Sequence, residues 1–199
     1  MKVAIVGYGF VGRALGESLS DETQLLIIDP KHNTSLKDLQ GFCPAFTFIC
    51  VPTPMNDDGT QDISIVNAVI NEINIYVRDS IIVLKSTVLP SHIESILGAC
   101  PSIILNPEFL RENTANEDFI NSSLILFGGD EEACINLSNF YKQYTKCKNM
   151  NHTFVDAISA SLLKYAINSF LATKVRFLHA ELGNIVKRIL VEIRKHSIL

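Results

Sequence analysis

Residues 2–29 read KVAIVGYGFVGRALGESLSDETQLLIID, and the order of their elements decides the fold. Lys2–Val6 is a short apolar run typical of a buried strand, and it leads into three glycines spaced G-x-G-x-x-G. A helical pattern follows over Arg13–Leu19, and a second apolar run, Leu25–Ile28, ends on Asp29. A strand, a glycine turn, a helix, a strand and an acid in this order predict a βαβ unit of the dinucleotide-binding type.

Each glycine of the turn has a physical role in holding a dinucleotide. Gly7 permits the tight turn, Gly9 leaves the backbone open to a pyrophosphate, and Gly12 lets the helix pack close to the strand. The helix N-terminus adds free N–H groups and the positive end of the helix dipole. Asp29 can accept hydrogen bonds from the adenosine ribose and would repel a 2′-phosphate, so we expect NAD rather than NADP, a preference that Lys31 weakens slightly. A glycine turn without a ligand is the alternative, and the acid argues against it.

The composition is that of an ordinary α/β protein. The chain has 199 residues, 47% of them hydrophobic and 19% charged, which is enough for one sizeable domain with an extra element. A net charge of −4 argues against a nucleic-acid surface, and no apolar run approaches membrane-spanning length. The cysteines have no metal-binding spacing and lie at Cys43, Cys50, Cys100, Cys134 and Cys147. We therefore expect reduced thiols in a cytoplasmic protein with no metal and no membrane partner.

Apolar runs and helical stretches alternate up to about Asp156. We predict strands over 45–51, 80–84, 102–105, 123–127 and 152–155, and helices over 63–76, 92–97 and 131–144. This alternation predicts a doubly wound, mainly parallel, Rossmann-like α/β domain over residues 1–156. Ligands of such sheets bind beyond the carboxyl ends of the strands.

Residues 157–199 have a different pattern. From about Asp156 to Lys195 there is no proline and only one glycine, and apolar residues recur at helical spacing over Ile158–Ile193. The pattern predicts one long helix of about 60 Å. One small sheet domain cannot cover so much apolar surface, so we expect another domain, another subunit or both to bury it.

Four further segments carry specific signals. They are VPTP at 51–54, STVLP at 86–90, NPEFLRE at 106–112 and KYAIN at 164–168. Together with the glycine turn they resemble the UDP-glucose/GDP-mannose dehydrogenase family, from Met1 to about Phe177. The resemblance implies oxidation of the 6-hydroxymethyl group of a nucleotide sugar to a carboxylate by NAD, with UDP-glucose to UDP-glucuronate as the preferred reaction. It also implies an NAD-binding first domain, a homodimer through the long helix, and a second domain with the nucleotide pocket and a nucleophilic cysteine.

The resemblance assigns roles to individual residues. Thr87 would assist the catalytic water, Glu108 would be the acid/base of thioester hydrolysis, and Lys164 with Asn168 would hold the sugar's reacting oxygen. The expected cofactor-binding residues are Gly7, Tyr8, Gly9, Phe10, Val11, Gly12, Asp29, Lys31, Val51, Pro52, Thr53, Ser86, Thr87 and Glu112. The expected substrate-binding residues are Glu108, Phe109, Leu110, Arg111, Glu112, Lys164 and Asn168.

The residues by themselves leave structural alternatives open. Residues 51–54 could be a rigid surface turn, and Thr87 could cap the following helix. If residues 107–112 are helical, Glu108 and Glu112 share a face and could only complement the helix dipole. Lys164 could be a solvated lysine on an amphipathic helix.

Several positions depart from the family pattern. Ser161 stands where the family has a glutamate, Asn113 where it has a glycine, and the resemblance ends beyond Gly183. The family's glycine-rich segment with the nucleophilic cysteine is absent, and Cys50, at a strand end, is a poor substitute. We therefore expect the truncated NAD-binding part of such an enzyme, inactive alone. Activity would need a second polypeptide with the C-terminal half or a longer gene product. The alternative is a non-catalytic NAD-binding and dimerisation module.

Overall fold

The computed structural model describes residues 1–77 and 79–196 and divides into two units, Met1–Lys164 and a second that begins at Tyr165. The strands are β1 (Lys2–Val6), β2 (Gln24–Ile28), β3 (Phe46–Ile49), β4 (Ile81–Leu84), β5 (Ile104–Leu105), β6 (Ile125–Gly128) and β7 (His152–Val155). The helices are α1 (Phe10–Ser18), α2 (Asp38–Phe42), α3 (Ser64–Tyr76), α4 (Pro90–Ala99), α5 (Ala115–Ile120), α6 (Glu131–Tyr144) and α7 (Ala157–His196). Short 3-10 turns cover Pro30–His32 and Glu112–Thr114.

The sheet of the first unit has the strand order β2-β1-β3-β4-β5-β6-β7. The first five strands are parallel, β6 runs antiparallel to β5 through the pair Leu105 and Gly128, and β7 is parallel to β6. The prediction of a mainly parallel, doubly wound sheet is confirmed. The carboxyl ends of β1 to β5 therefore meet at one edge, where a ligand site is expected.

Two apolar layers cover the sheet because successive side chains of each strand point to opposite faces. On β1, Ala4 and Val6 pack into a layer with α3 and α4, whereas Val3 and Ile5 pack into a layer with α1 and α6. Both faces are thus buried, which explains why the strands read as continuous apolar runs.

The long C-terminal helix is confirmed as α7, which begins after β7. In the first unit, Ala157 and Ala160 pack into the layer of α3 and α4. A Cβ at Gly128 would collide with the Cβ of Ala160, so the glycine permits this close approach. In the second unit the apolar side chains Phe170 and Phe177 are 68% and 65% exposed. No helix in the described part of the chain combines the length and apolar character needed to cross a bilayer.

Candidate cofactor and active site

A cavity of about 390 Å³ lies at the carboxyl ends of the first five strands. The expected residues that line it are Gly7, Gly9, Phe10, Val11, Asp29, Val51, Pro52, Thr53, Ser86, Thr87 and Glu108. Asp29 follows β2 and Glu108 follows β5, with three strands between them, so the lining spans four strand spacings, about 19 Å. The volume lies within the range of cofactor sites, and the elongated outline suits an extended ligand.

The three glycines of the turn differ in what surrounds them. Gly7 has a φ of +88°, and a Cβ there would lie 2.7 Å from the carbonyl oxygen of Cys50. A Cβ at Gly12 would collide with the carbonyl oxygen of Gly7. A Cβ at Gly9, in contrast, would meet no atom within 4 Å. The fold thus requires glycine at positions 7 and 12, whereas the open space at Gly9 fits the approach of a pyrophosphate.

The N-terminus of α1 borders the same cavity. Gly9 is the N-cap residue, and the helix has neither a side-chain cap nor an acid in its first turn. Its first N–H groups are therefore available to an anion, and the helix dipole adds a partial positive charge there. The arrangement fits the phosphates of a dinucleotide.

Asp29 is held by two backbone N–H groups. Tyr8 N donates to Oδ2 at 2.7 Å and Lys31 N donates to Oδ1 at 2.9 Å. These hydrogen bonds, that from Tyr8 foremost, lower the pKa of the Asp29 carboxyl, which keeps it anionic. Tyr8 and Lys31 thus act on Asp29 through the main chain, while the Tyr8 ring lies edge-on to His32 with centroids 5.5 Å apart.

Side-chain hydrogen bonds join the loops that follow β3 and β4. Thr53 Oγ1 donates to the carbonyl oxygen of Thr87 at 2.8 Å, and Ser86 Oγ donates to that of Val51 at 2.7 Å. Residues 51–54 are therefore more than a surface turn, because they line the cavity and support its neighbouring loop. The N-cap residue of α4 is Leu89 and not Thr87, which removes the capping alternative for the threonine.

Glu108 and Lys164 form a buried ion pair beside the cavity. Lys164 Nζ lies 3.3 Å from Glu108 Oε1, donates also to the Glu108 carbonyl oxygen, and lies 5.0 Å from the centroid of the Phe109 ring. Glu108 Oε2 accepts a hydrogen bond from Leu110 N at 2.6 Å. Lys164 is only 4% exposed, so the alternative of a solvated lysine is wrong.

The segment after β5 is irregular up to residue 111, so the shared helical face considered for Glu108 and Glu112 does not form. The reason is competition from side chains: the Glu108 carboxylate takes the N–H of Leu110, and Asp118 takes that of Arg111. Glu112 begins a 3-10 turn and lines a neighbouring cavity of about 370 Å³, to which Phe10 also contributes.

Two of the expected substrate-binding residues, Arg111 and Asn168, are exposed, unlike Glu108. Arg111 donates from Nε and Nη2 to the Asp118 carboxylate, at 3.0 and 2.7 Å, while its guanidinium stays largely exposed. Asn168 belongs to the second unit, where it is exposed. The first unit thus brings together Thr87, Glu108 and Lys164 of the four expected catalytic residues.

A buried lysine, which the sequence patterns did not predict as a site residue, lies in the cavity wall. Lys85 is 3% exposed and donates to Asn106 Oδ1 at 2.9 Å, to the Asn106 carbonyl oxygen at 3.3 Å and to Tyr141 Oη at 3.4 Å. Burial lowers the pKa of its ammonium group. The only signal in the sequence is a lysine directly after the apolar run of β4.

Cys50 also lines the cavity, next to Lys85. Burial raises the pKa of the Cys50 thiol to about 12, an effect that the positive charge of Lys85 only partly opposes. The thiol is therefore protonated at neutral pH and is a weak nucleophile. Among the described residues, no group of three or more His, Cys, Asp and Glu side chains could hold a metal ion.

Comparisons with known proteins agree with this geometry. Residues 37–145 match the model of the UDP-glucose/GDP-mannose dehydrogenase family, NAD binding domain. The chain is 34% identical to the UDP-glucose 6-dehydrogenase of Rickettsia bellii (strain RML369-C), over 83% of this chain and 38% of the relative. It is 28% identical to the UDP-glucose 6-dehydrogenase YwqF of Bacillus subtilis (strain 168), over 95% of this chain and 52% of the relative.

Solved structures share the fold. A UDP-glucose dehydrogenase from Pyrobaculum islandicum superposes with a TM-score of 0.70 at 25% identity, over 88% of this chain and 51% of that one. The GDP-mannose dehydrogenase of Pseudomonas aeruginosa, at 22% identity, superposes with a TM-score of 0.71 over 89% of this chain and 51% of that one. The chain thus spans about half, or less, of the length of these proteins.

Proposed function

The chain belongs to the UDP-glucose/GDP-mannose dehydrogenase family, and we propose that it is the NAD-binding part of a nucleotide-sugar 6-dehydrogenase that converts UDP-glucose to UDP-glucuronate. The cofactor of the family is NAD. One observation carries the proposal: the cavity that begins at Asp29 and the glycine turn continues to Glu108, which is paired with Lys164. A cofactor site and a pair of groups suited to acid–base chemistry thus adjoin each other.

We assign the residues as follows. Bound NAD supplies the hydride acceptor. Asp29 accepts hydrogen bonds from the adenosine ribose, and the open backbone at Gly9 receives the pyrophosphate. Lys164 stabilises negative charge on the sugar's reacting oxygen, Glu108 holds and releases a proton, and Thr87 orients a water molecule.

The first test concerns the choice of cofactor. The isolated chain should bind NADH more tightly than NADPH in a calorimetric titration, because the anionic Asp29 repels a 2′-phosphate. Lys31→Ala should widen the difference, since it removes a nearby positive charge. Equal or tighter binding of NADPH by the wild-type chain would contradict the role of Asp29.

The second test concerns activity. We expect no uronate from this chain alone, because the family's nucleophilic cysteine segment is absent and the Cys50 thiol stays protonated. NADH formation should be followed with UDP-glucose, UDP-N-acetyl sugars and GDP-mannose. Turnover that survives Cys50→Ala but is lost in Lys164→Ala would show that the chain catalyses a simple alcohol oxidation instead.

A second candidate function is a non-catalytic NAD-binding module, or one half of a split enzyme, that associates through α7. The exposed apolar side chains of the second unit, Phe170 and Phe177 among them, favour association with another copy. The five free cysteines support the cytoplasm as the compartment for either function.

Self-association can be measured by sedimentation across a concentration series. Phe170 and Phe177 are seven residues apart and share a helical face, so replacing both by Asp should give a monomer. Ser169→Asp adds a charge at a different angle of the same helix and serves as the control. A wild-type chain that stays monomeric at high micromolar concentration would contradict dimerisation through α7.

A further inference from the structure

The loop that carries Thr87 is held by side chains through its backbone. This loop, Ser86–Pro90, joins the end of β4 to α4. The carbonyl oxygen of Thr87 accepts hydrogen bonds from Thr53 Oγ1 and from Gln61 Nε2, both at 2.8 Å. The N–H of Leu89 donates to Gln61 Oε1, also at 2.8 Å. Gln61 therefore binds two points of the loop with one amide group.

The orientation of the Gln61 amide follows from its partners. A carbonyl needs the –NH₂ group opposite it and an N–H needs the amide oxygen, so a flipped amide would lose both hydrogen bonds. Gln61 is itself fixed, because its backbone forms an isolated bridge with Met55 across a short hairpin. Within that hairpin, Asn56 Nδ2 donates to Thr60 Oγ1 at 3.0 Å. A closed hairpin thus presents Gln61 to the loop.

A third side chain, from the C-terminal part of the first unit, also binds the loop. Ser161 Oγ, which is buried, donates to the carbonyl oxygen of Val88 at 2.6 Å. Ser161 lies three residues before Lys164 on α7, within the first unit. Because Lys164 binds Glu108, the same helical turn is attached to both the Thr87 loop and the Glu108 segment.

The strand order indicates which part of NAD meets this loop. Asp29 and the glycine turn follow β2 and β1, and they suit the adenosine ribose and the pyrophosphate. Thr87 follows β4, which lies two strands from β1 on the side away from β2. The nicotinamide half of an extended dinucleotide would therefore reach Thr87, and the adenosine half would not.

We propose that Gln61 is a positioning residue that holds Thr87 in the cofactor cavity and thereby sets the affinity for the nicotinamide ring of NAD. The proposal rests on the proposed function, since it takes the cavity to be the NAD site. Thr87 lines that cavity, and Gln61 reaches it through the Thr87 backbone. Loss of the Gln61 amide would let the Thr87 peptide rotate while leaving Asp29 and Gly9 in place.

The experiment compares two ligands on three proteins. NADH and ADP-ribose are titrated by calorimetry into the wild-type chain, Gln61→Glu and Gln61→Met. Gln61→Glu keeps an acceptor for the Leu89 N–H but places an anionic oxygen against the Thr87 carbonyl. Gln61→Met has a side chain of similar length but lacks both the hydrogen-bond donor and the acceptor of the amide. We expect the Kd of NADH to rise about tenfold and that of ADP-ribose to change less than about twofold.

One control variant accompanies the Gln61 variants. Gln143→Glu makes the same chemical change as Gln61→Glu on an exposed position of α6. It should bind NADH and ADP-ribose like the wild type. If Gln61→Glu fails to fold, as judged by thermal unfolding, Gln61→Met decides the question.

Three outcomes would overturn the inference. Equal losses of NADH and ADP-ribose affinity in a folded Gln61 variant would show a general structural role, and unchanged NADH affinity would show no role. A wild-type chain that binds neither ligand would overturn the proposed cofactor function together with the inference. Selective loss of NADH affinity in either variant supports the positioning role.

Discussion

At the residue scale, the absence of a side chain has a different physical consequence at each of the three glycines of the first turn. Gly7 and Gly12 are required by the fold, because a Cβ at either position would press against main-chain oxygen atoms. Gly9 borders open space at the N-terminus of α1. The packing of the chain does not require glycine at position 9, whereas the proposed cofactor site does, so substitution there should separate folding from cofactor binding.

Gly9→Val should abolish NADH binding and leave the fold intact. The added side chain would fill the space that a pyrophosphate needs, while no atom of the chain lies within 4 Å of the new Cβ. Calorimetric titration and thermal unfolding measure the two effects. Gly12→Val is the contrasting variant and should unfold the protein or lower its melting temperature strongly. NADH binding by Gly9→Val at wild-type affinity would contradict the placement of the pyrophosphate.

The sequence alone predicts the residues of local motifs better than those brought in from a distance. Gly9 and Asp29 stand in one short βαβ pattern, and their spacing has a physical explanation. Gln61 and Lys85, in contrast, form hydrogen bonds near the cavity with residues far away in the sequence, since Gln61 binds Thr87 and Lys85 binds Tyr141. No periodicity records such contacts, and a lysine or glutamine in a sequence is usually a surface residue.

At the element scale, the segment between β5 and α5 owes its shape to two carboxylates. Asp118 accepts hydrogen bonds from Arg111 N, Nε and Nη2 and from Thr114 Oγ1. The Glu108 carboxylate takes the N–H of Leu110. These acceptors explain why a sequence that begins with Asn-Pro-Glu, and could open a helix, is irregular up to residue 111. Strands and long helices were predictable because apolar periodicity determines them, whereas this segment depends on individual hydrogen bonds.

Asp118→Asn should loosen the segment. The substitution removes the charge that binds the Arg111 guanidinium, so we expect faster amide hydrogen exchange at Leu110 and Arg111. Glu117→Gln makes the same chemical change one residue away on α5 and should leave exchange unchanged. Identical exchange in Asp118→Asn and the wild type would mean that the segment is held by other contacts.

The pH dependence of this support has a definite sign. Hydrogen bonds from Arg111 lower the pKa of the Asp118 carboxyl below its ordinary value. The stabilisation is therefore complete above about pH 5, where an unfolded aspartate is almost fully ionised, and is lost as the pH falls through the lower folded-state pKa. The difference between Asp118→Asn and the wild type should accordingly shrink in strong acid.

At the scale of the whole molecule, three cysteine thiols are buried in the two apolar layers that cover the sheet. Burial raises the pKa of Cys100, Cys134 and Cys147, with Cys134 raised to about 11. Unfolded thiols ionise near pH 8.5, so the stability associated with these residues is complete below that pH and is lost as the pH rises through their folded-state values. Lys85 has the opposite effect on the pH dependence of stability. Because burial lowers its pKa in the folded state, the unfolded chain binds more protons at this residue, and stability from this source rises with pH.

We therefore expect the free energy of unfolding to fall between pH 7.5 and pH 9.5, by about 1 kcal/mol from Cys134 and further from the other buried thiols, with partial compensation by Lys85. Urea unfolding at the two pH values measures the change. Cys134→Ala should reduce the loss by about 1 kcal/mol, since it removes one ionisable group of the unfolded chain. A loss of stability that is the same in Cys134→Ala and the wild type would contradict this origin.

The hydrogen bonds that fix Asp29 and the Thr87 loop have a thermodynamic consequence for ligand binding. The chain itself provides all of these hydrogen bonds. Asp29 accepts them from the N–H groups of Tyr8 and Lys31, and the loop accepts them from the side chains of Thr53, Gln61 and Ser161. The cavity is thus preorganised, and a cofactor that enters it need not supply the entropy cost of ordering these loops. Its heat-capacity change on binding should reflect the apolar surface covered by the ligand and contain little contribution from coupled folding.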